Sequence, residues 1–218
     1  MPFLDRADAG RRLCDALAEF KGEDAVVFAL PRGGVPVAAP IALMLKAPLD
    51  LVLVRKIGVP YQPELAMGAV ADGGEPVIVR NEDVIALSGV SETRFVRECA
   101  EQCAEIERRR RLYLGGRPRA EAKGRVAIVV DDGIATGATT RAALKAVRAR
   151  EPEKLVLAVP VAPTEALDAL RAEVDQVVCL EAHEYFSGVG CYYRDFRQIE
   201  DDEVIALLDR YGAKAARG

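Results

Sequence analysis

Five short stretches of the chain are almost wholly apolar: Ala25–Leu30, Leu49–Val54, Val126–Val130, Leu155–Val161 and Val174–Leu180, the last interrupted by Asp175 and Gln176. A strand with one wet face alternates polar and apolar residues. Near-continuous apolar runs suit strands covered on both faces, as in a parallel sheet. Helix-type stretches lie between them. Val35–Leu45 is rich in Ala and Leu, Thr140–Arg150 places Ala143, Leu144 and Val147 on one face, and Pro163–Ala172 carries Leu167 and Leu170. This alternation predicts an α/β, doubly wound fold: a mainly parallel central sheet with flanking helices.

One segment breaks the rhythm. Ser91 to Leu114 reads as a long charged helix, with Ser91 as N-cap and Gly115-Gly116 as stop. Its apolar positions are sparse. No internal repeat and no low-complexity linker interrupts the chain. A single domain over residues 1–218 is expected, with a core at about 22–180, the inserted helix at 91–114 and a small C-terminal hood at about 181–202.

Composition narrows the class. Half of the 218 residues are hydrophobic and 29% are charged, which suits a folded globular protein. Only the small polar tail Lys214–Gly218 is expected to stay out of the fold. The net charge of -4 and pI near 5.3 argue against non-specific nucleic-acid binding, which needs a basic surface. The basic run Arg108–Arg111 follows Glu101, Glu105 and Glu107, so it reads as the ion-paired face of a helix, with an interaction arm as the alternative. Five cysteines, an odd number with no CxxC spacing, follow an N-terminus (Met1 to Arg12) that has no apolar h-region. Reduced thiols and a cytoplasmic location are the expectation. No apolar run reaches the length of a membrane span.

The densest chemistry lies in Val126–Thr140, VAIVVDDGIATGATT. An apolar strand ends in two carboxylates, Asp131 and Asp132. A short loop with Gly133 and Gly137 follows, and Ala138-Thr139-Thr140 opens a helix. Ligands of open parallel sheets sit beyond the carboxyl ends of the strands. A helix start offers unpaired N–H groups and a positive dipole end, which suit a phosphate monoester. Gly137 lets the backbone approach the phosphate oxygens, and Thr136, Thr139 and Thr140 add hydroxyl donors. The two carboxylates suit the vicinal hydroxyls of a ribose. The bland alternative, an acidic turn, leaves the adjacent like charges without a reason. Neither GxxxxGK[ST] nor GxGxxG is present.

This stretch resembles the phosphoribosyl-diphosphate (PRPP) loop of the type I phosphoribosyltransferases: four apolar residues, two acidic ones, a few more, then Thr-Gly and small or hydroxyl residues. VVDDGIATGATT matches throughout, and the resemblance extends more weakly from Ala25 to about Val161. It implies transfer of the 5-phosphoribosyl group from PRPP to a nitrogenous base or related acceptor, with release of pyrophosphate. Mg2+ would accompany PRPP, touching Asp131 and Asp132 only indirectly, through water or PRPP. A cytoplasmic homodimer of nucleotide salvage, acting on a purine or pyrimidine base, is the implied setting.

Other segments take their implied roles from the same resemblance. Ala29-Leu-Pro-Arg-Gly-Gly-Val-Pro-Val-Ala38 follows a strand and opens a helix. It looks like the pyrophosphate loop, with Arg32 as cation and Gly33 and Gly34 as N–H donors, and the bond entering Arg32 or Gly33 is expected to be strained, a cis peptide being one form of that strain. Arg55 and Lys56 end the next strand and would neutralise charge, with Val59–Leu65 as a lid. The hood holds five aromatic rings between Tyr185 and Phe196, in a chain with six Phe, six Tyr and no Trp. Phe186, Tyr185 and Val189 would contact the acceptor, unless the cluster is only a hydrophobic plug that seals the core or a dimer contact. Ala135 replaces the Asp of the hypoxanthine–guanine branch, which puts a base-catalysed mechanism of that branch in doubt. The acidic pair is expected to face ligand rather than a structural partner. A non-catalytic PRPP- or nucleotide-binding regulator on the same fold is the alternative function.

Overall fold

The computed structural model describes residues 2–72 and 76–211; the tail named above lies outside them. Helix α1 (Arg6–Ala16) is capped by the Asp5 carboxylate, which accepts from the N–H of Asp8. Strand β1 (Ala25–Ala29) is buried along its whole length. Helix α2 (Gly34–Leu45) and strand β2 (Leu49–Leu51) complete the first parallel unit. Three antiparallel strands follow, β3 (Val54–Val59), β4 (Gln62–Ala71) and β5 (Val77–Arg80). Helices α3 (Glu82–Ser88) and α4 (Glu92–Leu114) lead back to the core.

There β6 (Val126–Val130), α5 (Ala138–Arg148), β7 (Lys154–Pro163), α6 (Thr164–Leu170) and β8 (Gln176–His183) alternate. Helix α7 (Asp201–Tyr211) ends the described chain. The five-stranded sheet is parallel throughout, in the order β2-β1-β6-β7-β8. Every residue of β1 and β6 is buried, because α1, α2 and α7 cover one face and α5 and α6 the other. That double cover explains the unbroken apolar runs.

The chain departs from the expected Leu49–Val54 strand at its middle. Leu51 is the last parallel residue, and Val54 already belongs to the second sheet, ordered β3-β4-β5. The switch is pinned by two hydrogen bonds between Leu53 and Asp72: the Leu53 N–H donates to the Asp72 carboxylate at 2.9 Å, and the Asp72 N–H donates to the Leu53 carbonyl at 2.8 Å. The expected lid is therefore a β-hairpin rather than a free loop, with β3 paired to β4 from Val54↔Ala71 to Val59↔Gln62.

Helix α4 begins as the sequence indicates. The Ser91 hydroxyl accepts from the Arg94 N–H at 3.3 Å, and Gly115 closes the helix with its N–H on the Arg111 carbonyl. Glu105 holds Arg108 and Arg109 in intrahelical pairs, and these draw its carboxyl down to about 2. Arg110 turns inward instead, onto Asp72 at 2.5 Å. Among the described residues, no helix is long and apolar enough to cross a membrane. The five cysteines are free thiols.

Candidate functional site

The ends of β1, β6, β7 and β8 share one edge of the parallel sheet. At that edge β6 stops at Val130, and Asp131 and Asp132 follow. Ile134 dips back into the core, its N–H bonded to the Val161 carbonyl at 3.0 Å, so the loop is anchored midway. Gly137 takes φ +77°, a left-handed conformation that favours glycine, and α5 starts at Ala138. Thr136, Ala138 and Thr139 are exposed, while Thr140 is buried. Small side chains thus leave the N–H groups of the first turn open, with two hydroxyls beside them.

The two carboxylates have different surroundings. Asp131 accepts the N–H of Asp132 at 2.9 Å. Burial first, and the neighbouring Asp132 charge second, hold its carboxyl well above the ordinary range. Asp132 instead has a cation: Arg6 of α1 donates from Nε to Oδ2 at 2.6 Å, with both side chains largely buried. The expectation that both acids face only ligand is corrected here. No motif in the sequence pointed to Arg6.

The pyrophosphate-type loop adjoins this pair. The Pro31–Arg32 peptide bond is cis, as the resemblance implied. Gly33 lies so close to Asp132 that a Cβ there would overlap Oδ2, and one at Gly34 would sit 2.7 Å from the Val130 carbonyl oxygen. Arg32 is steered by Asp201 at 3.6 Å, and the same carboxylate oxygen accepts from Tyr113 at 2.7 Å. The inserted helix α4 and the last helix α7 therefore both bear on the Arg32 side chain.

Pleating separates the two cations of β3. Arg55 donates to Gln102 of α4 at 3.1 Å, whereas Lys56 reaches Glu64 across the hairpin at 3.2 Å. Lys56 lines a cavity of about 680 Å3 between the second sheet and the start of α5. Thr136, Ala138 and Thr139 form one wall, and Arg80 and Arg141 add cations that the motif reading did not include. Arg80 is engaged by Glu82 and Glu92 and lies 4.1 Å over the Phe95 ring.

In the hood, Tyr185 is almost fully exposed. Phe186 stacks on Tyr192 with centroids 5.1 Å apart, and His183 approaches the Tyr192 ring at 4.5 Å. Val189 leans over the acidic loop; a Cβ at Gly133 would lie 2.5 Å from its Cγ1. Tyr193 is buried beside Phe3 and donates its hydroxyl to the Asp132 carbonyl at 2.6 Å. Burial and the Asp132 charge push the Tyr193 phenol far above its ordinary range.

Fold and loop together define a class: a doubly wound α/β protein whose acidic strand end feeds a small-residue helix start. The chain belongs to the phosphoribosyl transferase domain family, whose model matches residues 5–195. Proteins from two strains of Mycobacterium tuberculosis, provisionally named phosphoribosyl transferases, are each 47% identical over 208 residues. The match covers 95% of this chain and 46% of theirs, so the chain spans about half the length of these curated relatives. A crystal structure of a protein from Thermus thermophilus has 44% identity and a TM-score of 0.83, over 98% of this chain and 100% of that one.

Proposed function

We propose that this chain transfers the 5-phosphoribosyl group of PRPP to a nitrogenous base or related acceptor and releases pyrophosphate. The observation that carries the reading is the juxtaposition of two loops at one sheet edge: the acidic pair with its open helix start, and the glycine loop pressed against Asp132. In this reading the 5′-phosphate sits on the N–H groups and hydroxyls of Thr136, Gly137, Ala138, Thr139 and Thr140. Asp131 and Asp132 accept hydrogen bonds from the ribose hydroxyls. The Gly33 and Gly34 amides and the Arg32 guanidinium hold the diphosphate, and Lys56 reaches it from the hairpin. Arg55 supports the hairpin from the α4 side.

Displacement at the anomeric carbon builds positive charge on the ribose ring and negative charge on the leaving diphosphate. These residues act by position and by neutralising the leaving group. Phe186, Tyr185 and Val189 border the acceptor side, where a flat base meets aromatic and aliphatic surface. Ala135 offers no acid or base to it. Among the described residues no group of three or more His, Cys, Asp or Glu could hold a metal. Two adjacent carboxylates fit a magnesium ion that takes most of its ligands from PRPP and water. When bound, such an ion neutralises diphosphate charge.

The test is incubation of the full chain with Mg-PRPP and a panel of purine and pyrimidine bases, with pyrophosphate release as the readout. Release that depends on one base supports the reading and names the acceptor. Tight PRPP binding without release for any base favours a regulatory protein on this fold.

A further inference from the structure

Arg6 enters the site from an element that no sequence motif connects to it. Residues 3 and 4 are zipped to the hood: the Phe3 N–H donates to the Tyr192 carbonyl at 2.8 Å, and the N–H groups of Arg194 and Asp195 donate to the Phe3 and Leu4 carbonyls at 2.8 and 3.0 Å. This join delivers Arg6 to three partners. Its Nε bonds Asp132, its Nη1 donates to the Arg197 carbonyl at 2.8 Å, and its guanidinium lies 3.9 Å over the Phe196 ring. From the hood side, Tyr193 grips the carbonyl of the same aspartate.

We propose that Arg6, assisted by Tyr193, is a positioning residue that aims the Asp132 carboxylate at a ribose diol, so that recognition of the sugar depends on the join between the N-terminal segment and the hood. The inference rests on the phosphoribosyl reading of the site.

The charge arrangement gives the reason. Asp131 and Asp132 are adjacent carboxyl groups, and the Asp132 charge disfavours ionisation of Asp131. The titratable and charged groups that face Asp132 are Asp131 beside it, Arg6 from α1 and the Tyr193 phenol from the hood; the α2 start brings Gly33, which has no side chain. Arg6 alone among these is a cation, and it holds the Asp132 carboxylate directly at 2.6 Å. It does so through one oxygen. A carboxylate has about four acceptor sites, so the bond from Arg6 leaves acceptor capacity for a ligand hydroxyl. Without Arg6, repulsion from Asp131 and loss of the bond to Oδ2 both turn the carboxylate away from that task. The phosphate grip at Thr136–Thr140 does not involve Arg6.

This separation makes the proposal testable by ligand discrimination. Isothermal titration of the full chain compares ribose 5-phosphate with 2-deoxyribose 5-phosphate, which lacks one hydroxyl. The wild type is expected to prefer the ribose by about tenfold or more, the worth of one hydrogen bond to a charged group. In Arg6→Met the preference should fall to about twofold or less, while the deoxy compound binds with Kd within about twofold of wild type; those figures follow from losing the charged bond alone. A folded Arg6→Met that keeps the full preference, or that loses both ligands equally, overturns the proposal. If Arg6→Met does not fold, Arg6→Lys carries the comparison: it keeps a cation but not the fork, so a reduced preference supports positioning and an undiminished one overturns it. A wild type that binds neither sugar phosphate overturns the phosphoribosyl reading itself.

Discussion

Asp131 and Asp132 end the same strand, yet the protein treats them in opposite ways. Asp131 holds its proton more tightly in the folded chain than in the unfolded one. The stability this provides is complete below the ordinary carboxylate pKa and is lost as pH rises through the folded value. Asp131→Asn removes that loss. Its melting temperature should match the wild type in acid and exceed it increasingly toward neutral pH. Asp132→Asn removes the partner of buried Arg6 and should cost about 3 kcal/mol, as breaking a buried ion pair does. Thermal melts of both variants at several pH values check the split; equal shifts would refute it. The acidic pair was legible because strand, carboxylates and helix start are contiguous in sequence. Arg6 was not, since its bond to Asp132 spans 126 positions and follows no periodicity.

At the level of elements, local signals were reliable where they act locally. The cap and stop of α4 are both in place, and Ser91→Ala should lower stability by about 1 kcal/mol in chemical denaturation. The strand expected over 49–54 failed because its end is decided elsewhere, by Asp72 after β4. That carboxylate is almost wholly buried and faces Arg110 at 2.5 Å, Arg119 at 3.5 Å and Arg150 at 3.7 Å, while its backbone joins Leu53. A basic run read as solvated thus contains one arginine, Arg110, committed to the interior. Asp72→Ala leaves these guanidinium groups without their shared acceptor, and it should cost about 3–5 kcal/mol or prevent folding. Urea unfolding of the variant measures this, and a loss below about 1 kcal/mol, the scale of an exposed pair, would show the cluster to be peripheral.

Across the whole molecule, the parallel sheet presents a fixed edge, and the β3-β4-β5 sheet stands over it from the side of α5. The alternation of apolar runs made the first sheet readable. The second was only partly readable: residues 66–70, within β4, have the look of a strand, but the turn formers of 58–63 and the part-exposed residues of β3 and β5 hide its pairing. If the hairpin closes on the diphosphate, hydrogen exchange at residues 59–65 should slow when Mg-PRPP is added and not with magnesium alone. Unchanged exchange would make the hairpin a fixed wall of the cavity.

Gly33 adds a constraint that reaches beyond its own loop. Its hydrogen occupies space that any other residue would fill with carbon, in collision with Oδ2 of Asp132. A single methyl group introduced there meets the carboxylate, and a displaced carboxylate disturbs the bond to Arg6. The Gly33 loop and the acidic pair are in that sense one mechanical part cut from two distant stretches of chain. Changes to either half must be made to fit the other.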